Sequence, residues 1–392
     1  MSATHHPHTV EDAVGPDTPL SEAIAALLLG VVSLLMAGVL PALYGALREE
    51  GRLAASMFGP AAACEGLIMG VVTGAAGILL PPRHLKWIAA AASIALAGLN
   101  LASLGGHGIA IVVERALAGV PEGILLWITI GMIARTRTPE RWAGIFFTVL
   151  TAGQMIYAFG FGEWVLPAFH ADGGFIALAL GGVLGIAIAF FVSPSFAPLA
   201  GDEPNGLPPP RGLFAIFATL IYIAATATTG IYLEPLATQA GLAPSVADTA
   251  VWISLAAQIA GGLAATAMAG RVRYFAVFLL SSAIFVATWG VFLLHPGASG
   301  FIAANAAQGF VSILVSAFLV PMLIEADPSR KAAVMGGATQ VLAGALGPLA
   351  TALIVSDNDV HGAILLGAGS LVFGLALIAS LHFTATRNNH AD

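Results

Sequence analysis

The chain is short of charge. Charged residues are 9% of its 392 positions and hydrophobic residues 58%, with a mean hydropathy of +0.92. A soluble domain carries about a quarter charged residues, so this chain cannot clothe itself in a water-facing surface. Cysteine is almost absent: Cys64 stands alone, which excludes an internal disulfide. No basic stretch followed by an apolar run opens the chain, so no cleavable leader is expected. Residues 1–19 read instead as a solvated, disordered tail containing His5, His6 and His8, not as a metal site.

Other absences narrow the function. No Gly-rich loop ends in Gly-Lys-Ser/Thr, which speaks against ATP-driven pumping. No histidine cluster, paired metal ligands or Ser/His/Asp set falls in the apolar runs, which speaks against a membrane enzyme. His107, His170, His295 and His361 are scattered at the ends of runs. No metal, cofactor or nucleic-acid partner is expected. A receptor or scaffold would carry a large soluble part, and none is visible.

What remains is a series of apolar runs of about 20 residues or more, the length a helix needs to cross ~30 Å of hydrocarbon. Helices satisfy their own backbone polar groups, as lipid requires. A transmembrane barrel would instead show short alternating segments. The runs predict twelve helices: 20–47, 53–80, 85–104, 108–134, 141–166, 174–194, 212–236, 245–269, 273–294, 298–324, 331–356 and 360–384.

The basic residues test this map. With the N-terminus in the cytoplasm, inner loops hold Arg83, Lys86, Arg135, Arg137, Arg141, Arg211, Arg271, Arg273, Arg330, Lys331 and Arg387. Outer loops hold only Arg48 and Arg52, and Arg115 falls within a helix. That bias toward the inside predicts an even number of crossings and both termini cytoplasmic. The stretch from Ser193 to Arg211 is proline-rich, acidic at Asp202 and Glu203, and unable to continue a helix. It divides the chain into an N-terminal six-helix bundle at 20–194, a cytoplasmic linker at 195–211 and a C-terminal bundle at 212–384, with a tail at 385–392. Two such halves form a transporter plan whose site lies between them near the bilayer midplane.

The fourth run, VVERALAGVPEGILLWITIG, carries Arg115, Gly119 and Gly123 at four-residue steps. The two glycines form a small-xxx-small pair that admits a close neighbour helix. This pattern, with the twelve-run topology, resembles the major facilitator superfamily. The resemblance implies an all-α membrane fold of two pseudo-symmetric six-helix bundles and transport by alternating access. The loop between runs two and three departs from the family's Gly-x-x-x-Asp-Arg-x-Gly-Arg-Arg. GILLPPRHLK, from Gly77 to Lys86, has Pro81 where the aspartate belongs and keeps only the basic character of Arg83 and Lys86. In the second half AGRVRYF keeps Gly270, Arg271 and Arg273. The fifth run lacks the Gly-Pro-x-x-Gly-Gly signature of the family's drug–proton antiporters.

Ionisable residues inside a span are costly and mark function by default. Glu65 sits mid-run in the second span and Glu122 mid-run in the fourth, with Glu114 and Arg115 two turns earlier. Arg115 and Glu122 share a face but stand about 10 Å apart along the helix, too far to touch. A third group must therefore lie between them. Pro121 leaves the carbonyl of Leu117 without its usual donor, which predicts a local kink. Glu65 and Glu122 are expected to approach each other. Two carboxylates in a dry site cannot both ionise cheaply, so the pair suits uptake and release of a proton or Na⁺. This arrangement resembles the cation site of melibiose-type sugar symporters. The alternative is a static ion-pair network holding helices together. Gln154, Tyr157, Tyr222, Thr226, Tyr232, Gln258, Asn305, Gln308 and Gln340 are the expected polar lining of the substrate cavity.

The reading is a monomeric secondary transporter in a bacterial inner membrane, moving a small organic solute with a proton or Na⁺ through Glu122, Glu65, Arg115 and Glu114. An exporter of drugs or metabolites with the same fold is the alternative.

Overall fold

The computed structural model describes residues 19–197, 206–355 and 361–388. The tail up to residue 18 with its three histidines, the middle of the linker with Asp202 and Glu203, and residues 389–392 lie outside the described residues. Among the described residues the regular structure is helical, and extended pairing is limited to one isolated bridge between Arg83 and Ser195.

Among the described residues, eleven helical stretches are long and apolar enough to cross a membrane. One of them, Pro139–Ala189, runs 51 residues, about 75 Å of helix, more than twice the thickness of the hydrocarbon. It breaks at His170, where φ is 58° and ψ −161°, so it supplies two crossings and the total is twelve. The protein is a multi-pass membrane protein.

The first crossing is α1 (Leu20–Ser33) with α2 (Leu35–Glu49); α3 (Phe58–Leu79), α4 (Leu85–Ala102), α5 (Ile109–Ile133), α6 (Pro139–Gly160) and α7 (Leu166–Ala189) follow. The seventh is α8 (Pro210–Ala227) with the short α9 (Leu233–Gln239). The rest are α10 (Pro244–Met268), α11 (Tyr274–Leu293), α12 (Ala298–Ala326), α13 (Lys331–Ala352) and α14 (His361–Asn388).

The packing repeats. In the first six crossings α1 meets α5 and α7, α3 meets α5, and α4 meets α5 and α7. In the last six, α8 meets α12 and α14, α10 meets α12, and α11 meets α12 and α14. Each pair in one set has its counterpart in the other. Between the sets, α3 lies against α13 and α6 against α10, two seams related by the same exchange.

Two crossings expected as continuous helices are broken. The first gives way at Leu34, the seventh after Ala227 through a 3₁₀ turn at Gly230–Tyr232. At the first break the amide of Gln154 donates to the carbonyl of Leu34 at 2.8 Å, tying the break to α6.

Seams and loops also define two faces. On the face where residue 19 and residue 388 emerge, called here the terminal face, Gly77 of α3 meets Val334 of α13, and the contact continues through Gly74 with Ala338 and Gly70 with Leu342 to Gly66 with Ala345, past the middle of both helices. Gly262 of α10 packs on Gly144 and Thr148 of α6. At the opposite face one buried arginine ties three loops. Arg52, 7% exposed, donates to the carbonyls of Gly106 (2.9 Å) and Ser103 (3.2 Å) and to the carboxylates of Asp172 (2.7 Å) and Glu50 (3.2 Å). Glu50 in turn accepts from the backbone N–H of Ala171, next to the His170 break. Arg52→Gln, which strands several of these acceptors, is expected to cost about 1–3 kcal/mol, read as a lowered Tm of the purified protein in detergent.

Candidate functional site

Gly119 and Gly123 set the distance between α3 and α5. A Cβ at Gly119 would stand 2.5 Å from the carbonyl oxygen of Glu65, and one at Gly123 2.6 Å from that of Met69. The helices therefore touch backbone to backbone, as small-xxx-small pairs allow. Thr73 adds a cross-helix bond, its hydroxyl donating to the carbonyl of Gly123 at 3.0 Å. This contact brings Glu65 of α3 level with the interval between Arg115 and Glu122 on α5.

Arg115 is wholly enclosed, Glu122 is 4% exposed and Glu65 6%. The Arg115 Nη1 approaches Glu65 Oε1 at 3.4 Å, and Nη2 donates to Asn100 Oδ1 of α4 at 2.8 Å. Its guanidinium lies over the ring of Phe175 from α7, 5.7 Å from the centroid, a favourable placement for a desolvated cation. The carboxyl groups of Glu65 and Glu122 lie within hydrogen-bonding reach of each other. Tyr44 of α2, with no exposed surface, is electrostatically adjacent to both glutamates and to Arg115. Its hydroxyl, Glu65 Oε2 and Arg115 Nε are buried without a hydrogen-bond partner. The cluster is thus enclosed by α2, α3, α4, α5 and α7, inside the first six-crossing set.

Two carboxyls and one guanidinium share this volume. The carboxyls can exchange a proton or hold a small cation between them, and the guanidinium balances one negative charge. α5 passes Pro121 as one continuous helical stretch. Glu114 does not join the cluster: it points toward Gly106 at the end of α5, and its buried Oε2 lacks a hydrogen-bond partner.

The polar residues expected to line a cavity divide into two groups. Several bridge helices instead. The buried Tyr222 hydroxyl meets Ser282 Oγ of α11 at 2.8 Å. Asn305 donates from α12 to the carbonyl of Ala250 on α10 at 2.9 Å, and Gln308 to the Thr288 hydroxyl of α11 at 2.9 Å. Gln154 supports the Leu34 break, and Tyr157 packs on Phe161 with its hydroxyl buried. A buried amide or phenol in a membrane helix takes the nearest acceptor, and here that acceptor is a neighbouring helix. The Thr226 hydroxyl turns back to its own helix at the carbonyl of Ile223. Tyr232, on the short turn before α9, is half-buried. Gln258 and Gln340 are half-buried without a hydrogen bond to another described residue.

Sequence reasoning passed over Tyr44, Asn100 and Phe175. Asn100, an amide within an apolar run, carried a usable signal; Tyr44 and Phe175 read as ordinary core. It also passed over the seal on the terminal face. Arg330, before α13, donates Nη1 to the carbonyls of Ala134 and Thr136 at 2.9 Å each, at the carbonyl end of α5, where the helix dipole favours a cation. Burial holds its guanidinium below the usual value, against the opposing pull of Glu140. Arg135 donates to the carbonyl of Ala197 at 2.9 Å and lies over Phe196, and burial lowers it to about 10. The backbone N–H of Phe196 and of Leu85 donate to the carbonyls of Pro82 and Pro194. The short loop holding Pro81 and Pro82 is thereby tied to the start of the linker.

With this geometry in hand, known structures are informative. A major facilitator superfamily transporter, FucP, in the outward conformation is 14% identical and superposes with a TM-score of 0.68 over 91% of this chain and 98% of that one. The human organic anion transporter MFSD10 (TETRAN) is 13% identical, TM-score 0.68, over 92% of this chain and 100% of that one. A point variant of the E. coli fucose:proton symporter FucP is 14% identical, TM-score 0.69, over 92% and 97%. No protein-family model and no curated protein matches the sequence. At this identity the likeness establishes the fold.

Two outcomes follow from the geometry. Gly119→Val must push α3 away from α5, and a loss of about 1–3 kcal/mol is expected, seen as a lower Tm in detergent. Arg330→Gln removes charge-assisted bonds of about 1.5–3 kcal/mol each. Spin labels placed across the terminal face on the end of α5 and the start of α13 should then report a larger separated population. An unchanged distance distribution would assign the seal to the glycine seams alone.

Proposed function

We propose that this chain, which has the fold of the major facilitator superfamily, is a secondary transporter that moves a small organic solute by alternating access, coupled to a proton or Na⁺. The observation that carries this reading is the enclosed set Glu65, Arg115 and Glu122. Two carboxylates and one guanidinium leave one uncompensated negative charge in a dry volume, where charge is expensive. One proton, or one Na⁺, restores neutrality.

In the mechanism the crossings at 20–194 and 212–384 act as two bodies joined by the linker at 195–211. They rock about the α3–α13 and α6–α10 seams. The bias of basic residues assigns the terminal face to the cytoplasm, so the conformation sealed by Arg330 is the one open to the outside. FucP, in a solved outward conformation, supports this assignment by its likeness in fold. Cation entry neutralises the cluster and allows the bundle around it to repack; release on the other side restores the charge. Arg115, held by Glu65 and Asn100, keeps one carboxylate compensated throughout. Glu65 Oε2, the Tyr44 hydroxyl and Arg115 Nε, all without partners, are the atoms available to an incoming cation or its water.

The test uses proteoliposomes. Glu122→Gln fixes a neutral side chain at one member of the pair. Accumulation driven by a pH or Na⁺ gradient should vanish, while solute exchange at equal concentrations persists within a few-fold. Imposing the pH gradient and the Na⁺ gradient separately identifies the coupling ion. Gradient-driven accumulation at wild-type levels in Glu122→Gln would end the coupling role.

A further inference from the structure

An amide stands beside the contacts between the halves on each of α13 and α10. On α13, Gly337 faces Ile130 of α5 across the gap between the halves. At 100° per residue Gln340 lies about 60° from Gly337 around the helix and Gly344 about 20° from it. A Cβ at Gly344 would meet nothing within 4 Å, so this face looks onto open space one turn beyond Gln340. The lipid lies elsewhere: Leu346, 39% exposed, is about 180° from Gly337.

The same arrangement occurs on α10. Gly262 packs on α6, Gln258 is one turn further from the terminal face and about 40° around, and Val251 is about 20° around and two turns further still. Val251 is 46% exposed although it shares the face that packs on α6 nearer the terminal side. Both glutamines are half-buried, and neither hydrogen-bonds another described residue. The other amides of these crossings, Asn305 and Gln308, are used up between helices. Gln258 and Gln340 therefore flank the contacts of α10 with α6 and of α13 with α5, beside the open space next to Val251 and Gly344, each with a free donor and a free acceptor.

Among the described residues the buried cations of the first half, Arg52 and Arg115, are already engaged. Arg115 of α5 has no exposed surface and is taken by Glu65 and Asn100; Glu65 and Glu122 lie beside it in the closed cluster.

We infer that Gln258 and Gln340 form the floor of the substrate site and that the solute is uncharged and rich in hydroxyl or amide groups, held by donor–acceptor pairs with these two side chains. This rests on the transporter reading above and names its cargo. An anionic solute would leave its charge without a partner in a low-dielectric space, whereas a polyhydroxylated one meets amides that both donate and accept.

The experiment is counterflow in proteoliposomes, which needs no gradient. The probes are uncharged monosaccharides and polyols, set against monocarboxylates of the same size. At least one uncharged probe should exchange, and Gln258→Leu and Gln340→Leu should each raise its apparent KM about tenfold, the loss of one hydrogen bond to a substrate. Gln340→Glu, of nearly the same size, should add exchange of the amino-bearing analogue of that probe, a gain that misfolding cannot produce. Exchange of monocarboxylates but of no uncharged probe, or wild-type KM in both leucine variants, overturns the inference. Uncharged exchange that ignores pH and Na⁺ gradients would instead leave this assignment standing and defeat the coupling mechanism.

Discussion

Everything in the candidate site depends on the backbone contact of α3 with α5 at Gly119 and Gly123. A side chain at either position would hold the helices apart. With hydrogen there, the carbonyl of Glu65 rests on α5 and its carboxyl falls into the two-turn gap between Arg115 and Glu122. The packing of small residues and the placement of charge are one event. In lipid this matters more than in water, because apolar side chains gain little by associating and close van der Waals contact carries the assembly.

The same economy of small residues recurs where the halves meet. Gly66, Gly74 and Gly77 of α3 lie on α13, and Gly144 and Gly262 join α6 to α10. Such seams are shallow and self-similar, suited to surfaces that must part and re-form. The polar work is placed at their ends. Arg330 closes the terminal face on the carbonyls ending α5. At the opposite face of the first half Arg52 joins three loops. One half is thus stiffened at the loops opposite the terminal face and tied at the terminal face to Arg330 of the other half.

A good part of this was legible in the residues. Twelve crossings followed from run length, and the division of basic residues agreed with them. The two glycines and three ionisable residues of the fourth span stood out because lipid makes each of them exceptional. The polar lining was less legible. A glutamine or asparagine in an apolar run announces a hydrogen bond but not its partner. Gln154, Asn305 and Gln308 found partners on adjacent helices, Tyr222 found Ser282, and Gln258 and Gln340 found none. The difference lies in which helix is next door, and a lone sequence does not carry that.

The sequence by itself determined that this chain lives in a bilayer, how often it crosses, and which few charges must be sheltered there, because the energy of moving a charge or a bare peptide group into hydrocarbon depends on the residue alone. Only the tertiary structure decided that Glu114 stands apart while Asn100, Phe175 and Tyr44 close around Arg115, that the first and seventh crossings break, and that Arg330 latches the terminal face. Those outcomes depend on distances between helices remote in the chain, and such distances are set by packing and not by composition.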